Sequence, residues 1–375
     1  MNGSFRVGNL FGIPFYINSS WFLILGLLTL KYGNDLATQF PQELGYILPW
    51  ILGLITALLL FSSVLAHELG HSFVALYQGI EVKSITLFIF GGLASLDRES
   101  KTPAESFWVA IAGPLVSMVL FGLFTSINIF IFITGPVKSI VQVLALINLA
   151  LALFNLIPGL PLDGGNILKS IVWKITNSPY KGIIFASRVG QAFGWLAIIS
   201  GLIPTFLFSS FPNFWNILIG CFLLQNAGRS AQYGEIQGAL ADLTAVDAIV
   251  PQNLIVSENL SLREFVNEYV IGKESRRQFL VIDEFGQLAG LINVDDLRIV
   301  KTSEWPLVSV KELTKSVAKM EYVMAKTPLL EVISLLEQKQ INELTVVGES
   351  GILIGLIEKA SIRHLLARKG QAKTT

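Results

Sequence analysis

Charge is what this sequence has least of. Only 14% of its 375 residues are Asp, Glu, Lys or Arg, against roughly 25% in an average soluble protein. The shortage is uneven. Residues 1–235 hold 11 Lys/Arg and 9 Asp/Glu, whereas residues 236–375 hold 16 and 18. A stretch of 235 residues with 20 charges and most of the chain's 25 Phe cannot present a wetted surface along its length. The first two-thirds therefore belong in a bilayer, and the last third has the make-up of a water-soluble domain. This excludes a wholly soluble globule and a disordered chain. Net charge is zero with no basic block, which excludes a nucleic-acid binder. Cysteine is nearly absent as well. The single Cys221, in an apolar stretch, rules out a disulfide framework and a Cys-type zinc finger.

What is there begins with apolar runs of the length needed to span, about 20 residues each. They fall at roughly 18–31, 48–66, 107–133, 139–157, 184–207 and 214–228, which predicts six membrane helices. The first lacks a basic leader and a small-residue cleavage site and reads as a retained helix. Segment 82–96 is too short to span. Val82, Ile85, Leu87 and Ile89 with Gly91-Gly92 read as a strand pair or a re-entrant loop, a place where an extended peptide could add as a strand. If the N-terminus is cytoplasmic, Arg6, Lys83, Arg98, Lys101, Lys169, Lys174, Lys181, Arg188 and Arg229 share its side of the membrane. Lys31 and Lys138 alone lie opposite. That bias puts both termini in the cytoplasm.

Beyond Ala231 short strands alternate with amphipathic helices. Phe279–Ile282, Gly286 and Gly290–Ile292 return as Leu344–Val347, Gly351 and Gly355–Ile357, an offset of 65 residues from Gly290 to Gly355. An internal repeat of that size predicts a paired module whose halves bury each other's faces.

Chemistry is concentrated in very few residues. Two of the three histidines form His67-Glu68-Leu69-Gly70-His71 at the end of the second apolar run. Their i, i+4 spacing puts both rings on one helical face, where they can meet one metal ion. Glu68 lies beside that face, within reach of a water whose pKa zinc lowers to about 7, and can act as general base. Ionisable groups in an apolar helix are costly and rarely idle. A catalytic zinc ion usually takes three protein ligands. Between Ser106 and Gly234 the chain has one carboxylate, Asp163, in a Pro- and Gly-rich break after the fourth run. It is the leading third ligand, with capping of the following helix as its competing role. Asp97, Glu99 and Glu105 are weaker candidates, and Cys221 reads as a packing residue. Gly190-x-x-x-Gly194 reads as a helix-packing pattern.

His67-Glu68-x-x-His71 followed by Asn155-x-x-Pro158-x-x-x-x-Asp163-Gly164 resembles the site-2 proteases, intramembrane zinc metalloproteases of regulated intramembrane proteolysis. Phe11-Gly-Ile-Pro14, Phe90-Gly-Gly92 and Ala112-Gly113-Pro114 add shorter matches, so the resemblance covers about residues 5–230. It implies that His67, His71 and Asp163 are zinc ligands, Glu68 the base and Asn155 a polar helper near the oxyanion or substrate backbone. Asn148 is a lesser helper candidate, or a tie between helices. The C-terminal repeat resembles a tandem pair of cystathionine-β-synthase (CBS) modules, which often bind adenosine nucleotides between their halves. Gly290-Leu-Ile-Asn293-Val-Asp-Asp296 keeps most of the expected ribose-binding pattern; Gly355-Leu-Ile-Glu358-Lys-Ala-Ser361 loses it.

The expectation is thus a membrane all-α polytopic bundle of six transmembrane helices with a short re-entrant β segment, then a cytoplasmic α/β CBS pair. Residues 1–230 form the protease domain, 231–245 a linker, 246–368 the CBS pair (246–300 and 307–368) and 369–375 a tail. The expected function is hydrolysis of a peptide bond in or near the transmembrane segment of a membrane protein. Expected cofactors are one zinc ion and an adenosine nucleotide at Asn293 and Asp296. A homodimer through the CBS pair and a bacterial-type inner membrane complete the picture. The rival is a metal transporter or channel gated by nucleotide at that pair, which leaves Glu68 beside a two-His face without a purpose.

Overall fold

The computed structural model describes residues 3–89, 91–208, 213–249, 255–272, 278–316, 321–349 and 352–372. Phe90 and Gly351, both singled out above, lie outside the described residues. The chain divides into two compact units, Met1–Gly234 and Glu235–Thr375.

The first unit opens with a hairpin, β1 (Ser4–Leu10) and β2 (Ile13–Asn18). Its two-residue loop, Phe11-Gly12, has both φ angles positive (52° and 84°), the backbone twist that a tight antiparallel turn requires. Helices α1 (Ser19–Gln39), α2 (Pro41–Leu44) and α3 (Leu48–Tyr77) follow, then β3 (Val82–Phe88) and β4 (Gly91–Leu96). The strands form one sheet in the order β1-β2-β3-β4, with β2 and β3 parallel and the helices α1 to α3 as the crossover between them. Of the two readings left open for 82–96, the strand pair is what forms. β3 lies inside the sheet and buries Val82, Ile85 and Leu87 against Phe15, Trp21 and Phe61. Of the pair β3–β4 only β4 has a free edge, the sheet's other edge being β1.

Helices α4 (Pro103–Phe130), α5 (Gly135–Asn155), α6 (Asp163–Thr176), α7 (Pro179–Phe208) and α8 (Phe214–Leu240) complete the unit. Among the described residues four helices are long and apolar enough to cross a membrane: α3, α4, α5 and α7. The expected count of six is therefore not matched. The first and sixth apolar runs do lie in long helices, but α1 adds Lys31 and Asp35 and α8 adds Arg229 and Glu235. The Gly190-Gly194 pattern does pack within the chain. A Cβ at Gly190 would fall 2.1 Å from the Leu160 carbonyl oxygen, and one at Gly194 would fall 3.1 Å from that of Gly220 on α8.

In the second unit β5 (Ile255–Ser257), α9 (Leu262–Phe265), β6 (Gln278–Ile282), β7 (Leu288–Asn293), α10 (Val310–Leu313) and β8 (Lys315–Ser316) come first. Then follow β9 (Tyr322–Met324), α11 (Leu329–Gln338), β10 (Glu343–Val347), β11 (Leu353–Glu358) and α12 (Lys359–Ala372). β6 and β7 repeat as β10 and β11 at an offset of 65 residues, bulge included. Leu280 packs with Leu353 and Leu356 from the other repeat, joining the halves through apolar side chains. Each repeat also borrows chain. Leu240, Leu243, Ala245 and Ala248 enter the core of the second repeat beside Val323, Leu329 and Ile357. Trp305, Val308 and Val310 enter that of the first beside Leu262 and Phe265.

Candidate metal and catalytic site

α3 carries His67 and His71 one turn apart, and the rings stand nearly edge to face at 4.9 Å. Asp163 reaches them from the first turn of α6, 96 residues from His67. It gets there because the chain folds tightly at Gly164 and Gly165. A Cβ on Gly164 would sit 2.3 Å from the Leu156 carbonyl oxygen, and one on Gly165 would sit 2.2 Å from the Leu160 nitrogen. Only glycine lets α6 start against that loop. Asp163 Oδ2 lies 3.1 Å from His67 Nε2 and 3.3 Å from His71 Nε2, and the two Nε2 atoms are 3.3 Å apart.

The protonation pattern decides what this triangle wants. His71 Nδ1 lies 2.6 Å from the Val109 carbonyl oxygen on α4. A carbonyl can only accept, so Nδ1 donates and neutral His71 turns a bare Nε2 lone pair inward. His67 Nδ1 lies 2.9 Å from the Ser117 hydroxyl, which can take its proton in the same sense. Three acceptors then converge at van der Waals distance. One proton would relieve one edge; one divalent cation relieves all three. A tetrahedral zinc ion with bonds of about 2.0–2.1 Å separates its donors by about 3.3 Å, and the observed edges of 3.1, 3.3 and 3.3 Å match. The residues present fit zinc. Among the described residues His67, His71 and Asp163 are the one group of three ligating side chains close enough to share an ion.

α4 builds the back wall. Val109, Gly113 and Ser117 are four residues apart and share the face toward α3. A Cβ at Gly113 would fall 2.2 Å from His71 Nε2 and 2.6 Å from His67 Nε2, in the space a metal needs. In the sequence Gly113 figures only within the Ala112-Gly113-Pro114 match, and Val109 and Ser117 were missed, although small residues at Gly113 and Ser117, four apart, are a legible sign of a close helix contact. Glu68 turns from the opposite side toward β4. A Cβ at Gly92 would lie 2.3 Å from Glu68 Cγ, so only glycine tolerates this approach. The Ala94 backbone N–H, on the same strand, donates to the Glu68 carboxylate.

His67, Glu68, His71 and Asp163 open on one cavity of about 380 Å³, lined also by Gly92, Ala94, Val109, Asn155, Asn166, Lys169 and Glu99. Asn155, the last residue of α5, is thus near the site. Asn148 is not in the cavity wall. It is fully buried and donates to Ser63 Oγ at 3.1 Å and to the Leu144 carbonyl at 2.8 Å, tying α5 to α3. Asp97 is engaged by Lys83, and Glu105 by the Lys101 amide. Cys221 is exposed on α8 and does not serve as buried packing.

In the second unit Asn293 and Asp296 sit together at the start of a 3-10 turn, Val294–Ile299, as a reciprocal cap. Lys315 Nζ lies 2.8 Å from Asp296 Oδ1 and holds its carboxyl below the usual carboxylate range. In the other repeat Ser361 Oγ accepts from the Glu358 amide at 3.2 Å and donates to Ala248 O. The position equivalent to Asp296 thus does the same capping work.

The chain was compared with known proteins. The model of peptidase family M50 matches residues 55–137 and 131–197, and that of the CBS domain matches residues 310–368. A Synechocystis sp. protein, sll0528, named a candidate zinc metalloprotease, is 58% identical over 96% of this chain and 95% of its own length. The zinc metalloprotease MJ0392 of Methanocaldococcus jannaschii is 28% identical over 91% of this chain and 99% of its own. The solved site-2 protease from Methanocaldococcus jannaschii is 29% identical, covers 61% of this chain and 95% of that one, and superposes with a TM-score of 0.42.

Proposed function

The chain belongs to peptidase family M50, the site-2 zinc metalloproteases, and from that premise we propose that it cleaves a peptide bond within or beside the transmembrane segment of a membrane protein. The observation that carries this reading is the triangle of three lone pairs at 3.1–3.3 Å beside a carboxylate, in a cavity open to a free strand edge. His67, His71 and Asp163 would hold the zinc ion, which when bound supplies Lewis acidity toward a carbonyl and toward water. Glu68, held by Gly92 and Ala94, takes a proton from the attacking water and returns it to the leaving amine. Asn155 offers its amide to the substrate backbone or to the developing oxyanion. An extended substrate adds to the edge of β4, since β3 is already paired on both sides. A transmembrane helix must unwind to do this, because its carbonyls are hydrogen-bonded internally.

The membrane arrangement follows the same reading: α1 and α8 join α3, α4, α5 and α7 as six crossings, the β4 segment is re-entrant, and both termini are cytoplasmic. The loop charges support this orientation. The CBS pair regulates. Its implied ligand, an adenosine nucleotide at Asn293 and Asp296, has to displace Lys315, and a homodimer through the pair would be read from the mass of the full chain in detergent. A transporter is not favoured, since the metal group is single among the described residues and stands beside a base.

The test is cleavage of single-span proteins by wild type and Glu68→Gln, with and without a zinc chelator, repeated with ATP, ADP and AMP. Glu68→Gln is expected to retain zinc while losing about 100- to 10,000-fold in turnover. Turnover equal to wild type in the purified variant would remove Glu68 from this role.

A further inference from the structure

The catalytic cavity contains a cation that the hydrolytic step does not use. α6 turns Asp163, Asn166 and Lys169 toward it in a slanting row. Lys169 stands six residues past the metal-ligand candidate, about 9 Å along the helix axis. It is half-buried, and among the described residues it has no hydrogen-bond or ion-pair partner. Glu99, from the loop after β4, lines the same wall and pulls on it from a distance, but accepts from the Tyr233 hydroxyl at 3.3 Å. Burial holds the Lys169 ammonium below the usual lysine value, with Glu99 opposing the shift. A partly desolvated ammonium without a carboxylate beside it is a cost that an arriving anion removes.

The substrate path fixes which anion can arrive. β4 offers its free edge from Gly91 to Leu96, past Glu68 at Gly92 and Ala94, and the chain then leads to Glu99 on the wall shared with Lys169. A peptide laid on that edge advances about 3.3 Å per residue, and for a peptide running alongside α6 the roughly 9 Å to Lys169 corresponds to about three residues. We propose that Lys169 is a specificity-determining residue, pairing with an acidic side chain of the substrate about three residues from the scissile bond. This rests on the cavity being the peptide site of the protease. A basic side chain at that position would meet the ammonium and be disfavoured.

The experiment uses the full chain in detergent and a single-span polypeptide whose cleavage point is mapped by mass spectrometry. Asp and Arg are each placed at every position up to five residues from that point, and kcat/KM is measured for wild type, Lys169→Gln and Lys169→Glu. Wild type is expected to favour Asp over Arg about ten-fold at one position near the third residue. Lys169→Gln should lose that preference and Lys169→Glu should invert it, with zinc content unchanged in both. The same preference in all three proteins, or none in wild type, overturns the proposal. Binding of the Asp and Arg polypeptides to the Glu68→Gln protein, with Lys169 intact or changed to Glu, reads the preference without turnover. Failure of hydrolysis with an intact, invertible binding preference would count against the protease reading and not against Lys169; equal binding by both proteins would count against Lys169 alone.

Discussion

His67, His71 and Asp163 in the first unit and Asn293 and Asp296 in the second are both clusters of polar side chains at the ends of helical turns. They differ in what remains undone. In the first, every outward-facing nitrogen is committed to α4, and three lone pairs face one another at 3.1–3.3 Å with nothing but a cation able to reconcile them. In the second, the Asn293 amide, Asp296 and Lys315 answer one another, and the same cap recurs at Thr244/Asp247, Ser261/Glu264 and Ser309/Glu312. A constellation that its own fold leaves unreconciled points outward to a ligand. One that the fold completes is sufficient as structure.

That contrast can be broken most severely at Gly113. Gly113→Ala places a methyl 2.2 Å from His71 Nε2, and zinc affinity is expected to fall by about 100-fold or more, read by competition with a metallochromic chelator. Zinc bound as tightly as in wild type would mean that the rings do not converge there. A milder cut is Ser117→Ala, which removes the hydroxyl from His67 Nδ1 without touching a ligand atom. It should weaken zinc by about 10- to 100-fold and should be rescued by Ser117→Thr; an unaltered affinity would assign Ser117 to helix packing. The smallest effect is expected in the other unit. Asp296→Asn should leave zinc and basal cleavage as they are and cost about 1 kcal/mol or less of stability, since Lys315 is largely exposed. The carboxyl's folded pKa is depressed, so its contribution is complete above the unfolded value near 4 and is lost as pH falls through the lower folded value. The variant's melting temperature should lack that acid-side slope. A loss of nucleotide response instead would promote Asp296 from cap to ligand.

Much of the site was legible because the first unit is so poor in charge. With one carboxylate between Ser106 and Gly234, Asp163 stood out by its type alone. Val109 and Ser117 could not stand out in this way, since a backbone carbonyl has no letter and a serine in an apolar helix has several ordinary uses. Asn148 was legible only as an alternative, a helper or a tie between helices. Its amide makes the tie, from α5 to α3 at Ser63. The strand pair at 82–96 was legible too, but not that β2 pairs with β3 from 70 residues upstream and leaves β4 as the edge beside Glu68.

By itself the sequence determined what is local or periodic. A 3.6-residue turn puts His67 and His71 on one face, a run of apolar residues demands lipid, and the 65-residue offset of β6–β7 and β10–β11 is a matter of register. The tertiary structure decided what depends on which surfaces meet. It gave α4 the task of aiming both imidazoles, brought Asp163 to them across 96 residues, and sent Leu240–Ala248 and Trp305–Val310 into the cores of opposite repeats. Glycines at 92 and 113 mark where the catalytic and ligating side chains of α3 press against a neighbouring backbone, and those at 164 and 165 where the start of α6 meets its own loop. The physical reason is the same in each case: helical periodicity fixes a residue's direction, but only packing fixes what lies there.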